Sequence, residues 1–143
     1  MRALKPKTLI VMQGIPGSGK STIAEMIALG SHDVQIRSTD EFWGENYNFN
    51  AALLGRAHEW NQDRVKREMV AGTSTIIVDN TNIKKSAVEP YVEMANQFGY
   101  TVQFVRVSVP VDVAVGRNAM RPKHRRVPEE VIRRMAEEME NLG

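Results

Sequence analysis

Short unbroken apolar runs along this chain alternate with stretches whose apolar residues recur every third or fourth position, and the two patterns predict different elements. "TLIVMQ" (8–13) is a continuous apolar run ended by Gly14, the mark of a strand buried on both faces. Between Lys20 and Leu29, Ile23, Met26 and Ile27 fall at helical spacing, and Gly30 is placed to stop the helix. "VQIRS" (34–38) predicts a second strand, and Leu53 to Ala71 a helix closed by Gly72. "STIIVD" (74–79), rich in β-branched residues, predicts the third strand. Beyond it Tyr91, Met94, Ala95 and Phe98 form an i, i+3, i+4, i+7 stripe. Two starts fit that helix: Ser86 with Glu89 as a capping box, or Pro90 as its first residue. "TVQFVRV" (101–107) predicts a fourth strand and Val111 to Met120 a helix. A last helix is predicted from Pro128 to Leu142, with Glu129 and Glu130 near its positive end.

Strands separated by helices in a βαβαβαβα order predict an α/β fold of three layers, α/β/α, around a mostly parallel sheet of about four strands. Ligands in such sheets bind beyond the carboxyl ends of the strands, so the loops beginning at Gly14, Thr39, Asp79 and Val109 are expected to share one edge. A length of 143 residues fits one domain, 1–143. The net charge of +2 is too mild to argue for nucleic acid by itself, and the absence of cysteine excludes a disulfide framework or thiolate metal site. The apolar run Leu9–Met12 is too short for a signal peptide or membrane span, which makes a cytoplasmic protein with no membrane partner the expectation.

Chemistry first shows in "GIPGSGKST" (14–22), which fits G-x-x-x-x-G-K-[ST] at every fixed position between a predicted strand and a predicted helix. Glycines let successive backbone N–H groups turn toward one point, and the helix start adds its positive dipole end. Gly14, Gly17, Ser18, Gly19, Lys20, Ser21 and Thr22 are therefore the candidate ATP-binding (or other NTP-binding) set. Lys20 is expected on the β- and γ-phosphates and the Ser21 hydroxyl on Mg²⁺.

A phosphotransferase also needs a group to take the acceptor's proton. Asp40, in "RSTDEFW" after the second strand, suits that role; spacing alone equally allows it to cap a short helix beginning at Glu41. Asp79, in "VDNTN", fits a Walker-B-like ligand behind Mg²⁺ or a group orienting the acceptor, and Asn80 and Asn82 are acceptor contacts or ordinary turn residues. "RNAMRPKHRR" (117–126) gathers Arg117, Arg121, Lys123, Arg125 and Arg126 between two helices, the composition of a lid spanning about 117–127. Arg117 and Arg121 are the phosphate candidates in it, with Lys123 and Arg126 read as a solvated face. Aromatic residues crowd between 42 and 60. Trp43, Tyr47 and Phe49 are candidates to stack on an unpaired base, whereas Trp60 is expected to pack its helix on the sheet. The three histidines show no ligand spacing.

With these residues in view, the chain resembles the P-loop polynucleotide kinases, and within them the kinase domain of the phage kinase–phosphatase and related single-domain kinases. "GIPGSGKST", "STDEF", "AHEW", "IIVDNTN", "PYVEMA", "GRNAMR" and "VPEEVIRRM" appear in the family's order, nearly end to end. The first is widely shared; "VDNTN" together with "RN..R....VP" is specific. The resemblance implies ATP and Mg²⁺ as cofactors and nucleic acid 5′-hydroxyl ends as substrate. It implies Asp40 as general base, Lys20 and Arg121 as the catalytic cations, and Ser38, Thr39, Trp43, Asp79 and Asn82 on the acceptor side. Where the phage enzyme has an arginine that meets the acceptor's 3′-phosphate, this chain has Trp43. No D-x-D-x-T segment is present, so no 3′-phosphatase activity is expected. A small-molecule kinase acting on a nucleoside, sugar or coenzyme precursor, and an NTP-driven switch, are the rival readings.

Overall fold

The computed structural model describes residues 6–142; residues 1–5 and Gly143 of the expected 1–143 domain lie outside them. Four strands, β1 (Thr8–Gln13), β2 (Val34–Arg37), β3 (Thr75–Asp79) and β4 (Thr101–Arg106), form one all-parallel sheet in the order β2-β3-β1-β4. Five α-helices connect and flank them: α1 (Lys20–Leu29), α2 (Leu54–Ala71), α3 (Lys85–Phe98), α4 (Val111–Ala119) and α5 (Glu129–Glu140).

Side chains alternate across a strand, so the apolar run of β1 feeds two cores at once. Leu9 and Val11, with Ile76 and Val78 of β3, pack against Val65 and Met69 of α2 and Val88, Tyr91 and Ala95 of α3. Ile10 and Met12, with Ile77, face Ala24, Ile23 and Ile27 of α1 on the opposite side. Each such side chain fully withdrawn from water contributes roughly 1.5–3 kcal/mol. A third cluster, Ile15, Ile83, Ala114, Ile132 and Met139, ties α4 and α5 to the loops that follow β1 and β3.

Register sets what meets above the sheet. Met12 lies beside Asp79, and Arg37 beside Val78, so β1, β2 and β3 end level with one another. The loops after them line a common cleft, as expected. The loop after β4 does not join them: Val107 to Pro110 line a separate hollow of about 280 Å³ with Ile15 and Met139, because Val109 packs with the α4–α5 cluster.

Neither predicted start of α3 is the observed one. The helix begins at Lys85, after Lys84 in extended conformation, and Pro90 sits inside it. Proline has no N–H for the Ser86 carbonyl one turn back, and Ser86 lies exposed in the helix's first turn. Trp60 meets Phe42 edge-on at 5.5 Å, and the Arg64 guanidinium lies 4.2 Å above its ring. It thus packs against the turn after β2 rather than the sheet. Among the described residues no helix is long and apolar enough to cross a membrane.

Candidate active site

The phosphate loop is shaped by what a side chain would strike. Gly17 has φ +84°, and a Cβ there would come within 2.3 Å of the Ala114 carbonyl oxygen, so α4 presses directly on the loop backbone. Gly19, at φ +90°, ends the loop as the N-cap of α1 and offers no side chain to the helix's first N–H groups. Those donors stay free for an anion, at the positive end of a ten-residue helix. Lys20 and Ser21 begin that helix and line the cleft, while Thr22 is exposed in its first turn. Ser18 is buried under the loop, its hydroxyl close to the position a Gly14 side chain would need.

Arg117 reaches the loop from behind. Its Nη1 donates to the carbonyls of Gly17 at 3.2 Å and Ser18 at 3.1 Å, and the residue is not part of the cleft lining. Its guanidinium holds the loop's shape, a role spacing did not suggest for a residue 99 positions from Ser18.

Across the cleft, of about 460 Å³, stands Asp40. The short 3₁₀ turn Thr39–Trp43 is capped by Ser38, whose hydroxyl accepts from the Asp40 N–H while the Glu41 carboxylate accepts from the Ser38 N–H. Asp40 is therefore not the cap. Its carboxylate has one hydrogen bond among the described residues, from the Tyr47 hydroxyl at 3.3 Å. Ser38, expected to contact the acceptor, is instead spent on the cap. Thr39 is buried; its N–H donates to the Asn80 side-chain oxygen at 2.9 Å, and its hydroxyl lies 3.5 Å from Nδ1 of His58. Beneath them, Asn61 of α2 donates to the Tyr91 hydroxyl at 2.9 Å.

Two further acceptor-side candidates are buried. Trp43 is only 5% exposed, packed edge-on against Phe42 at 5.1 Å and Phe49 at 5.0 Å, and its ring cannot stack on a ligand. Its indole anchors the turn that carries Asp40. Asn82 is 2% exposed, and its amide donates to the Met12 carbonyl at 2.7 Å, locking the ends of β1 and β3 together. Asp79 does line the cleft. It is buried, yet its Oδ1 has no hydrogen-bond partner. A bare carboxylate oxygen sharing a cleft with a serine hydroxyl fits a hard divalent cation whose remaining ligands are phosphate oxygens and water. Among the described residues no group of three or more His, Asp or Glu forms a metal site by itself, so such a cation would be held jointly with the nucleotide.

The cations come from the segment between α4 and α5. Arg121 and Arg125 both line the cleft. The neck of their loop is closed by Asn118, which donates to the Val127 carbonyl at 2.7 Å and accepts the Val127 N–H at 3.0 Å. Sequence reasoning passed over three lining residues, His58, Tyr47 as a hydrogen-bond donor, and Arg125. His58 and Arg125 reach the cleft only as α2 and the segment between α4 and α5 return to the sheet edge. Burial pushes the Tyr47 hydroxyl up to about 12, helped by the neighbouring Asp40 charge, so at neutral pH it is a donor. Burial pushes the His58 imidazole down, with Asp40 opposing, and this favours its neutral form.

The AAA domain family model matches residues 9–142. Human NEDD4-binding protein 2 is 40% identical over 98 residues, 67% of this chain and 6% of that protein. The mouse 2′,3′-cyclic-nucleotide 3′-phosphodiesterase is 32% identical over 103 residues, 69% of this chain and 23% of that protein. The chain thus spans less than a quarter of the length of these curated relatives. Among solved structures, the Pnkp1/Rnl/Hen1 RNA repair complex contains a chain with the same fold, at a TM-score of 0.80 and 19% identity over 97% of this chain and 46% of that one.

Proposed function

From the premise that the chain belongs to the AAA domain family, with the fold of the P-loop kinases, we propose that it is an ATP- and Mg²⁺-dependent kinase that transfers the γ-phosphate to the 5′-hydroxyl of a polynucleotide. The observation that carries this reading is the carboxylate of Asp40, free of any capping duty, in one cleft with the phosphate loop and with Arg121. The polynucleotide acceptor is supported by the RNA repair complex among the structural likenesses and by the cyclic-nucleotide phosphodiesterase among the sequence relatives.

In this reading the loop N–H groups and the start of α1 bind the triphosphate, and Lys20 reaches its β- and γ-oxygens. Ser21 and Asp79 would hold Mg²⁺, which would supply positive charge to offset that of the phosphates. Asp40 accepts the proton of the attacking hydroxyl as the new P–O bond forms and ADP leaves. Arg121, on the lid, offsets the negative charge that spreads over the moving group. The lid is the segment of about 117–127, and residues 1–143 act as a single kinase domain.

A small-molecule acceptor is the second reading, favoured by the burial of Trp43 where the phage enzyme has a phosphate-binding arginine. One experiment separates them. With γ-labelled ATP and Mg²⁺, label is expected on 5′-hydroxyl DNA or RNA oligonucleotides. Label confined to nucleosides or sugars would replace the acceptor, and phosphate release indifferent to every acceptor would leave an NTPase.

A further inference from the structure

Among the described residues, only Tyr47 and Asn82 are non-glycine residues with positive φ, +48° and +51°. The inward-turned amide of Asn82 explains its own backbone. An aromatic residue gains nothing comparable from the left-handed region, and such outliers gather where a side chain must be aimed. Here the backbone aims Tyr47 into the cleft, where its hydroxyl donates to Asp40 Oδ1. On its other side the Arg125 guanidinium lies 5.2 Å from the ring centroid, and its Nη2 donates to the Glu45 carbonyl at 3.2 Å. No ion pair among the described residues uses Arg125. Its charge is spent on the loop that carries Tyr47.

We propose that Arg125 is a positioning residue, a latch that joins the lid to the acceptor loop and, through Tyr47, orients the Asp40 carboxylate. Four residues before it, Arg121 faces the same cleft, and Arg126 Nε donates to the Arg121 carbonyl at 2.8 Å, so the two cleft-facing arginines belong to one braced segment. Asn118 and Val127 close that segment at its neck. One end of the segment meets the triphosphate and the other grips Glu45 and Tyr47. Lid and carboxylate are thereby joined, so nucleotide that holds the lid also steadies Tyr47 against Asp40. This inference rests on the kinase reading above and adds to it how the two halves of the site are coupled.

The test pairs kinetics with hydrogen exchange on the intact chain. Arg125→Ala is expected to lower kcat about tenfold, the order of a partly desolvated cation–π contact plus a hydrogen bond, with the KM for ATP within about twofold of wild type. Arg121→Ala, by contrast, should raise that KM. Tyr47→Phe should match Arg125→Ala, and the double variant should lose no more than either single one, since both act through Asp40. A raised KM for ATP in Arg125→Ala, or losses that add, overturns the latch. Independently of catalysis, ATP with Mg²⁺ should slow exchange at the amides of Tyr47 and Asn48, which bond to Gly44 and Trp43, and should fail to do so in Arg125→Ala. If exchange does not slow in the wild type, or slows equally in both, the latch is overturned. A wild type that labels no acceptor sinks the kinase reading alone, and the exchange result still decides the latch.

Discussion

A carboxylate serves as a base only if the fold leaves it an unclaimed oxygen. The capping work of the Thr39–Trp43 turn is done by Ser38 and Glu41, and this frees Asp40. Asp40→Asn keeps the size and the exposure of the side chain but cannot accept the acceptor's proton. Transfer is therefore expected to fall by roughly 10²–10⁴, the usual worth of a positioned base, with ATP affinity unchanged. Single-turnover labelling alongside equilibrium binding of ATP checks both halves, and undiminished transfer would remove Asp40 from the mechanism. His58 allows a pH prediction. Its folded pKa is lowered, chiefly by burial, so the native state binds fewer protons than the unfolded chain below the ordinary value of 6.5. Stability from this group is present above that value and is lost as pH falls toward the folded pKa. The urea midpoint should drop between about pH 7 and 5, and His58→Gln should flatten part of that slope; an equally steep slope in the variant would assign it elsewhere.

At the scale of elements, the strands and most helix ends follow from periodicity because β1 and β3 are buried on both faces and Gly72 and Gly99 close α2 and α3 in left-handed conformation. The start of α3 did not, since Pro90 is a strong local signal for a first turn and tertiary packing overrode it. Val88, ahead of the proline, is buried with Tyr91 and Ala95, and that contact draws the helix back to Lys85. Pro90 is accordingly a residue the helix tolerates. Pro90→Ala restores the donor for the Ser86 carbonyl and removes the ring's clash with it, against a smaller gain of entropy by the unfolded chain. A net stabilisation of about 1–2 kcal/mol is expected, with labelling activity unaltered, since α3 contributes no cleft residue. Thermal and urea unfolding would show it, and a loss of stability would mean that the packing of the proline ring outweighs the restored hydrogen bond. The same distinction separates the legible part of the site from the rest. Lys20 and Ser21 are named by local spacing, whereas Arg117 finds the loop from the far end of the chain and Trp43 leaves the site through packing that no local pattern records.

The molecule as a whole carries a net charge of only +2, and its cleft concentrates Lys20, Arg121 and Arg125 opposite Asp40 and Asp79. In the proposed reaction Lys20 and Arg121 are committed to the triphosphate, which leaves few cations near the cleft for an acceptor strand. A polynucleotide held mainly by its terminal nucleoside and one or two phosphates releases few counterions. The logarithm of its affinity should then fall with the logarithm of salt at a slope of about −0.7 to −1.4, following the single-strand value per phosphate. Titrating a labelled 5′-hydroxyl oligonucleotide between low and moderate salt, with a non-hydrolysable ATP analogue present, measures that slope. A slope several times steeper would require a basic track outside the cleft, and the acceptor would then lie along a surface that the loops after β1, β2 and β3 do not define. A shallow slope with lengthening oligonucleotides of equal affinity would instead mean that the sheet edge reads only the end of the strand, which is what a kinase of 5′-hydroxyl termini requires.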